Sequence, residues 1–358
     1  MERQIPIQYM KNHMGNNKAL GLLAQAEFER WAHSNPSIRS KYFDGCWVAS
    51  PKGFTATRRI CFFVHRQIEH SDSVDTCIDS ILSNRGFHAL FGSISRSGLG
   101  VLYCIPTNGE GPSLDKLNWH LFRYQNETLN QIDPFSFFNS WPGSRGRPSR
   151  GRPWQDHVSE RYEALEMDLL RPLVLNQVFY NSFVKGVFRK PVSDPYDTDA
   201  FIVSYEGKIF PLEIKEKFPF TSGRRKLFGI DAGRILMLLR MCLPLDCNGL
   251  YVIREVDEDD RRFLGWKMLS LDAIVMNSNW NLQAGGTGML GGRTQTVTFP
   301  YEIFEDLTVD ALSDDRLHEM SGFSEGIRRK ASEFVEEVES LFAQSAGQSG
   351  GQTRLATR

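Results

Sequence analysis

The chain has 358 residues, of which 41% are hydrophobic, so it can bury one large core or two modest ones. Lysines and arginines number 42 against 43 aspartates and glutamates, which excludes a generally basic protein but leaves room for a local basic cleft. The polar start of the chain and the absence of long apolar runs predict a cytoplasmic protein with no membrane partner. The six cysteines form no CxxC pair, and we expect them to be reduced thiols.

The N-terminal part, residues 1–140, is predicted to be a separate α/β domain of unknown role. Apolar residues recur at helical spacing over 19–33, and a second helical pattern covers 73–82. Short runs at 45–49, 59–65 and 100–105 are typical of strands. His65 and His70 have no cysteine pair beside them, so we do not expect a zinc site here.

A linker is predicted at residues 141–154, which read WPGSRGRPSRGRPW. This composition of proline, glycine, serine and arginine disfavours regular structure and marks a domain boundary. Its arginines form a cationic arm that is either a solvated linker or a phosphate-binding arm. They are Arg145, Arg147, Arg150 and Arg152.

The second predicted domain covers residues 155–310 and has the order α, β, β, α, β, β. Its first helix, 157–179, contains Pro172, which should bend or break it. The remaining predicted elements are strands at 200–205 and 208–215, a basic loop at 216–226, a helix at 231–243, and strands at 249–254 and 263–269.

The C-terminal part is predicted to contain a helical segment at 311–342 and a disordered tail at 343–358. Residues 286–291 read GTGMLG, a formal match to the dinucleotide-binding glycine pattern. That pattern must open a helix, whereas a strand-like run, 294–300, follows here. We therefore predict a glycine loop and no nucleotide cofactor.

The residues that indicate chemistry lie in the sequence DTDAFIVSYEGKIFPLEIKEK, residues 197–217. A three-residue turn at 205–207, with Gly207 in the left-handed conformation, would join two apolar strands as a hairpin. In that register Asp199 lies opposite Glu213, and Lys215 shares the face of Glu213. A two-residue turn would place Asp199 on the wrong face, so the prediction depends on the turn.

Two carboxylates and a lysine at one point suit the hydrolysis of a phosphodiester bond. Asp199 and Glu213 can hold Mg²⁺, which prefers oxygen ligands, and the carbonyl of Ile214 can serve as a further ligand. Lys215 can orient a water molecule and offset charge in the transition state. The alternative is an ordinary hairpin whose polar ends discourage aggregation. The apolar strands favour the catalytic interpretation, because charges that end a buried hairpin need partners.

The pattern D-x13-E-I-K on a hairpin, preceded by an acidic helix, resembles the PD-(D/E)xK nuclease superfamily. Type II restriction endonucleases and Holliday-junction resolvases belong to that superfamily, and the resemblance covers about residues 155–271. It implies a restriction-endonuclease-like core, α-β-β-α-β with a mixed central sheet, within an α/β protein. Proline does not directly precede Asp199, and Asp197 is a competing acid, so the choice of aspartate stays open.

The resemblance also implies a glutamate on the first core helix that reaches the metal. Glu163 is the preferred candidate, with Glu160 and Glu166 as alternatives. It implies that the segment after the hairpin lies near the substrate. The nucleic-acid-binding candidates are Lys217, Arg224, Arg225, Lys226 and Arg234.

The function predicted on this basis is Mg²⁺-dependent cleavage of DNA, with Mn²⁺ as a possible substitute, in restriction or another prokaryotic or phage defence system. Cutting of both strands would favour a homodimer. Two alternatives stay open. One is a non-catalytic module that binds nucleic acid or a protein on a nuclease-like fold. The other is a nuclease acting on RNA or on branched DNA.

Overall fold

The computed structural model describes residues 3–49, 59–109, 113–139, 141, 152–188, 196–278, 283–287 and 293–336. Most of the predicted linker, the predicted tail and part of the glycine loop lie outside these residues, as do Arg145, Arg147 and Arg150. Among the described residues, no helix combines the length and the apolar character needed to cross a membrane.

The helices of the described residues fall into an N-terminal group, a middle group and a C-terminal group. The first comprises α1 (Gln4–His13), α2 (Asn16–Ser34), α3 (Pro36–Arg39), α4 (Val74–Ser83), α5 (Arg85–Arg96) and α6 (Pro134–Asn139). The second comprises α7 (Asp156–Ala164) and α8 (Met167–Val178), which continues into a π-helical segment, Phe179–Val187. The third comprises α9 (Ala232–Leu245), α10 (Leu271–Asn277), α11 (Asp314–Glu319) and α12 (325–336).

Ten strands form one large mixed sheet, in the order β14-β11-β10-β7-β6-β1-β2-β3-β4-β5. Their bounds are β1 Tyr42–Ala49, β2 Ile60–Val64, β3 Gly100–Thr107, β4 Asn118–Gln125, β5 Thr128–Ile132, β6 Tyr196–Val203, β7 Ile209–Lys217, β10 Leu250–Val256, β11 Phe263–Ser270 and β14 Glu305–Asp306. The pairs β2–β3 and β7–β10 are parallel. A smaller antiparallel sheet has the order β12-β13-β9-β8, with β8 Phe220–Ser222, β9 Arg225–Asp231, β12 Gln283–Thr287 and β13 Arg293–Pro300.

The large sheet runs through both predicted domains. Strand β1 of the N-terminal part pairs antiparallel with β6 of the predicted core, from Tyr42 opposite Ile202 to Val48 opposite Tyr196. Nearly all of β1 is buried, as expected of a strand with neighbours on both sides and helices on both faces. The α/β class with a mixed central sheet is confirmed, whereas the split into separate domains is not.

The hairpin of β6 and β7 lies in the middle of the sheet and is covered on both faces. On one face, Phe28 of α2 packs with Phe210 and Leu212. On the other face, α5 and α9 contribute to a cluster that contains Phe201 and Ile209. Because water is excluded from both faces, any charged group at the end of this hairpin must find its partners within the protein.

Several predicted elements have different bounds in the structure. The predicted helix 157–179 is divided at Leu165, where the backbone is extended, and not at Pro172. Pro172 lies inside α8. Because proline has no N–H, the carbonyl of Asp168 has no helical donor at this position, and it accepts a hydrogen bond from Arg66. The predicted loop at 216–226 contains the end of β7 and most of a hairpin formed by β8 and β9.

Candidate active site at the end of the β6–β7 hairpin

The turn between β6 and β7 has the predicted three-residue form. Gly207 has a φ of 79°, in the left-handed region, and the N–H of Ser204 donates to the carbonyl of Lys208 at 2.9 Å. The register continues to Ala200 opposite Leu212. Asp199 and Glu213 are therefore the next residues on each strand beyond the paired part of the hairpin, as the sequence predicted.

The paired part of the hairpin ends where the candidate site begins. Strand β6 goes on pairing with β1, and β7 goes on pairing with β10 to Lys217. At this point the carboxylate of Asp199 accepts the N–H of Ile214 at 2.6 Å. A side-chain oxygen thus takes the place of a strand carbonyl, and this bond holds the carboxylate between the two strands.

Gly45 of β1 allows this arrangement of β6. A Cβ atom at residue 45 would lie 1.8 Å from the carbonyl oxygen of Thr198 and 2.6 Å from the backbone of Asp199. Only glycine lets the two backbones approach so closely. The position of Asp199 therefore depends on a residue that lies more than 150 positions earlier in the chain.

Lys215 lies among the oxygen atoms of the site. Its Nζ is 2.7 Å from Glu213 Oε1, 3.1 Å from Asp199 Oδ2 and 3.0 Å from the carbonyl oxygen of Ile214. The side chains of Asp199 and Glu213 are 0% and 4% exposed, whereas that of Lys215 is 21% exposed. Solvent therefore reaches the cluster from the side of the lysine.

Further polar side chains reach the cluster from the flanking helices. Gln25 of α2 donates to Asp199 Oδ1 at 2.5 Å. Arg234 of α9 lies 3.2 Å from Asp197 Oδ1 and 3.4 Å from Glu213 Oε1. The sequence predicted Arg234 as a residue near the substrate, and the structure places it among the acids themselves.

Gln25 was not found from the sequence, and Lys18 was missed with it. Lys18 is close enough to Asp197 for their charges to interact, and its Nζ lies 4.9 Å from the ring centre of Trp47. The two residues are seven apart on α2 and therefore share one side of the helix. In the sequence, the signal that could have identified Lys18 and Gln25 was that both are polar residues next to the apolar stripe of α2.

The pKa values of the two aspartates of β6, Asp197 and Asp199, are shifted in opposite directions. Burial, together with the charge of Glu213, raises the pKa of Asp199 to about 7. Burial alone would also raise the pKa of Asp197, but the positive charge of Arg234, with those of Lys18 and Lys215, holds it below the usual range. Asp197 is thus an ion-paired carboxylate, and Asp199 is the acid at the centre of the cluster.

The oxygen atoms of the site fit a divalent cation. The positively charged ammonium group of Lys215 occupies one position among three oxygen atoms. They are Asp199 Oδ2, Glu213 Oε1 and the carbonyl oxygen of Ile214. Hard oxygen donors of this kind are those that Mg²⁺ and Mn²⁺ prefer. A metal at these donors requires the ammonium to move aside, and the partial exposure of Lys215 leaves room for that movement.

The structure does not bring the predicted helix glutamate, Glu163, to the β6–β7 hairpin. Glu163 is 53% exposed, and its partner in the structure is Lys11, 4.0 Å away, not the β6–β7 cluster. Glu160 is also exposed, and Glu166 pairs with Arg30. Helix α7 buries its apolar side and turns its glutamates to solvent, so the helix that reaches Asp199 is α2, through Gln25.

Apart from Arg234, which lies among the acids, the predicted nucleic-acid-binding residues fall into two groups. Lys217 is half-buried on the face of β7 that carries Lys215, and burial lowers its pKa to about 8. The others are exposed at the turn of the β8–β9 hairpin, where Gly223 has a φ of 61°. They are Arg224, Arg225 and Lys226.

The comparisons with protein-family models, with curated proteins and with solved structures gave no match to this chain. The resemblance to a nuclease superfamily therefore rests on the hairpin residues and on their arrangement.

Proposed function

We propose that the protein is a Mg²⁺-dependent nuclease that hydrolyses phosphodiester bonds of DNA at the end of the β6–β7 hairpin. The observation that carries the proposal is the convergence of two buried carboxylates and a backbone carbonyl on one lysine, whose Nζ lies within 3.1 Å of an oxygen atom of each. Charges in such a place are costly unless they serve as partners of one another or of a ligand.

Each residue has a distinct task under this proposal. Asp199, Glu213 and the carbonyl of Ile214 would hold the metal, which polarises a phosphate and lowers the pKa of a water molecule when bound. Lys215 orients the attacking water and offsets the charge that develops on the phosphate oxygens. Gln25 fixes Asp199 through Oδ1 and leaves Oδ2 turned toward the lysine.

The topology around the hairpin supports the proposal. The chain runs from α8 through β6 and β7, then through the β8–β9 hairpin of the small sheet, to α9 and to β10, which is parallel to β7. Apart from the inserted hairpin, this order is similar to the α-β-β-α-β order that the resemblance implies. The proposed biological setting of the nuclease is restriction or another defence system in the cytoplasm, and it rests on the resemblance alone. The six free cysteines fit a reducing compartment.

The first test is cleavage of supercoiled plasmid by the full chain with Mg²⁺, with Mn²⁺ or with EDTA. We expect nicked and linear products with either metal and none with EDTA, and no products from Lys215→Ala. Linear products formed in one step would further support a homodimer, because each chain carries one such site. Metal-dependent cutting that persists in Lys215→Ala would show that the active site lies elsewhere.

A second candidate function is a non-catalytic module that binds nucleic acid or a protein. One observation favours it, namely that the cluster has as many cationic side chains as acidic ones without a metal. Three cations face three acids: Lys18, Lys215 and Arg234 against Asp197, Asp199 and Glu213. Wild-type protein that binds DNA but cuts no plasmid, single-stranded DNA, branched DNA or RNA would decide for this candidate.

A further inference from the structure

A second group of side chains of types that can bind a metal is formed by His65, Glu69 and Cys77. His65 follows β2, Glu69 lies in the next loop, and Cys77 is in the first half of α4. The hydroxyl of Tyr103, from β3, lies 2.8 Å from His65 Nδ1. The group thus joins two neighbouring strands, a loop and a helix.

The three side chains each present one potential donor atom to a common space. His65 Nε2 lies 3.0 Å from Glu69 Oε1, and Cys77 Sγ lies 3.6 Å from each nitrogen of the His65 ring. One donor atom from each of the three residues lies within 4.8 Å of the others. Zinc bound at about 2.0–2.3 Å in a tetrahedral site separates its ligand atoms by roughly 3.5 Å. The two separations that involve His65 Nε2, 3.0 Å to Glu69 and 3.6 Å to Cys77, are close to that value.

We propose that His65 Nε2, Glu69 Oε1 and Cys77 Sγ form a site for a zinc-class ion, Zn²⁺ or Co²⁺, with the fourth position open to water. Nitrogen, oxygen and sulfur donors together suit these ions and disfavour Mg²⁺, which takes oxygen alone. The His65 and Glu69 side chains are 17% and 22% exposed, so an ion can reach them from solvent.

The backbone of the proposed site is held in place. The N–H of His65 donates to the carbonyl of Cys104 at 2.8 Å, and the N–H of Glu69 donates to the carbonyl of Pro106 at 2.9 Å. Ser73 Oγ donates to the second carboxylate oxygen of Glu69 at 3.1 Å. Two of the three donors are therefore oriented by partners behind them, which is the arrangement that strengthens metal sites.

Metal binding requires two local changes and releases protons. Because the Glu69 carboxylate can only accept, its 3.0 Å contact places the His65 ring proton on Nε2, and metal binding moves that proton to Nδ1, where the Tyr103 hydroxyl accepts it and leaves Nε2 free for the ion. Cys77 Sγ is equally distant from both ring nitrogens and therefore lies beside the ring, so rotation of its side chain must bring it onto the ion. The thiol loses its proton as the sulfur–metal bond forms.

The proposed site goes against the prediction from the sequence that no zinc site forms at His65. The three residues are four and eight positions apart, and none belongs to a paired motif with a second cysteine or histidine. The three side chains come together because of the fold of the loop that contains Glu69. An isolated bridge between Glu69 and Thr107 holds this loop against β3.

The test is a Co²⁺ titration of the full chain, followed by displacement with Zn²⁺. We expect one equivalent of Co²⁺ to give a near-ultraviolet thiolate-to-metal charge-transfer band, which Zn²⁺ abolishes. The donors at the β6–β7 hairpin are all oxygen atoms, so this band reports only the second site. Cys77→Ala should lose the band, whereas His70→Ala, a change at a neighbouring exposed histidine, should keep it.

Two further readouts complete the test. Tyr103→Phe should weaken Co²⁺ binding by about 10- to 100-fold, because the partner of Nδ1 is lost. Zn²⁺ should raise the Tm of wild type and leave that of Cys77→Ala unchanged. The proposal is overturned if wild type shows no thiolate band, or if the band survives in Cys77→Ala.

Discussion

The two ends of the β6–β7 hairpin carry the same kinds of charged residue in opposite surroundings. At the turn, Glu206 and Lys208 lie 3.7 Å apart and are 56% and 38% exposed. At the other end, Glu213 and Lys215 lie 2.7 Å apart, and the glutamate is almost fully buried. An exposed pair contributes little to stability, whereas a buried charge is costly when its partner is removed.

The contrast shows which charges need a functional explanation. The pair at the turn is open to water, and its glutamate and lysine also contact His318 and Ser321, respectively. The acids at the other end are surrounded by apolar strands and are held by Lys215, Arg234 and Gln25. Replacement of such a cluster by apolar residues would often stabilise a protein, so its presence indicates a role beyond stability.

The largest effect on stability is expected when the buried end loses an acid. In EDTA, Glu213→Ala should lower the free energy of unfolding by about 3–5 kcal/mol, because Lys215 and Arg234 lose a common partner. Glu206→Ala, the matched change at the turn, should leave the urea midpoint unchanged. Equal effects of the two substitutions would remove the distinction between the ends.

A smaller loss of stability is expected from the backbone contact that positions Asp199. Gly45→Ala places a methyl group against the carbonyl of Thr198 and should cost about 2–3 kcal/mol in urea denaturation. Gly265→Ala, on β11, is the control, because no atom lies within 4 Å of the added carbon. A tolerated Gly45→Ala would contradict the close approach of β1 and β6.

The pH dependence of stability should distinguish the two aspartates of β6. The pKa of Asp199 rises from its ordinary 3.8 to about 7, through burial and the charge of Glu213, so the folded state keeps a proton that the unfolded chain releases. Stability should therefore fall as pH rises from about 4 to about 7. Asp197, with a lowered pKa, contributes stability at neutral pH that is lost only as pH falls below its ordinary 3.8.

Urea denaturation in EDTA across this pH range provides the measurement. Asp199→Asn should remove the decline between about pH 4 and about pH 7, and Asp197→Asn should leave it in place. A decline that persists in Asp199→Asn would mean that another group titrates there.

The smallest effect is expected at the β8–β9 turn, where the charged side chains are exposed to solvent. Arg225→Ala should weaken DNA binding a few-fold and reduce the slope of log affinity against log salt by about 1, since one phosphate contact is lost. Arg329→Ala, an exposed change on α12, should alter neither quantity. An unchanged salt slope in Arg225→Ala would exclude this hairpin from the DNA contact surface.

The hairpin residues of the site were predictable from the sequence, because the turn type and the alternation of side chains along a strand determine their positions. The Glu-Gly turn fixed the register, and the alternation of side chains then placed Asp199, Glu213 and Lys215 together. The α/β class followed from the same alternation of strand and helix patterns. These features depend on residues within about twenty positions of each other.

The rest of the site depends on contacts between distant parts of the chain. Gln25 is 174 residues from Asp199, and no periodicity in α2 indicates which strand it will cover. Sequence order suggested Glu163 of α7 as a neighbour of Asp199, whereas packing brings Gln25 of α2 there and leaves Glu163 beside Lys11. The continuity of the sheet was missed for the same reason, since β1 and β6 pair across the predicted domain boundary.

The most direct test of the nuclease proposal compares the two lysines of this hairpin. Initial rates of plasmid cleavage in Mg²⁺ should fall by about 10²–10³-fold in Lys215→Ala, because a charge aimed at the reacting phosphate is lost. Lys208→Ala removes the same charge from the exposed turn and should leave the rate within about twofold of wild type. Equal rates for the two variants, or cleavage by wild type in EDTA, would contradict the proposal that the buried end of the hairpin is the metal-dependent active site.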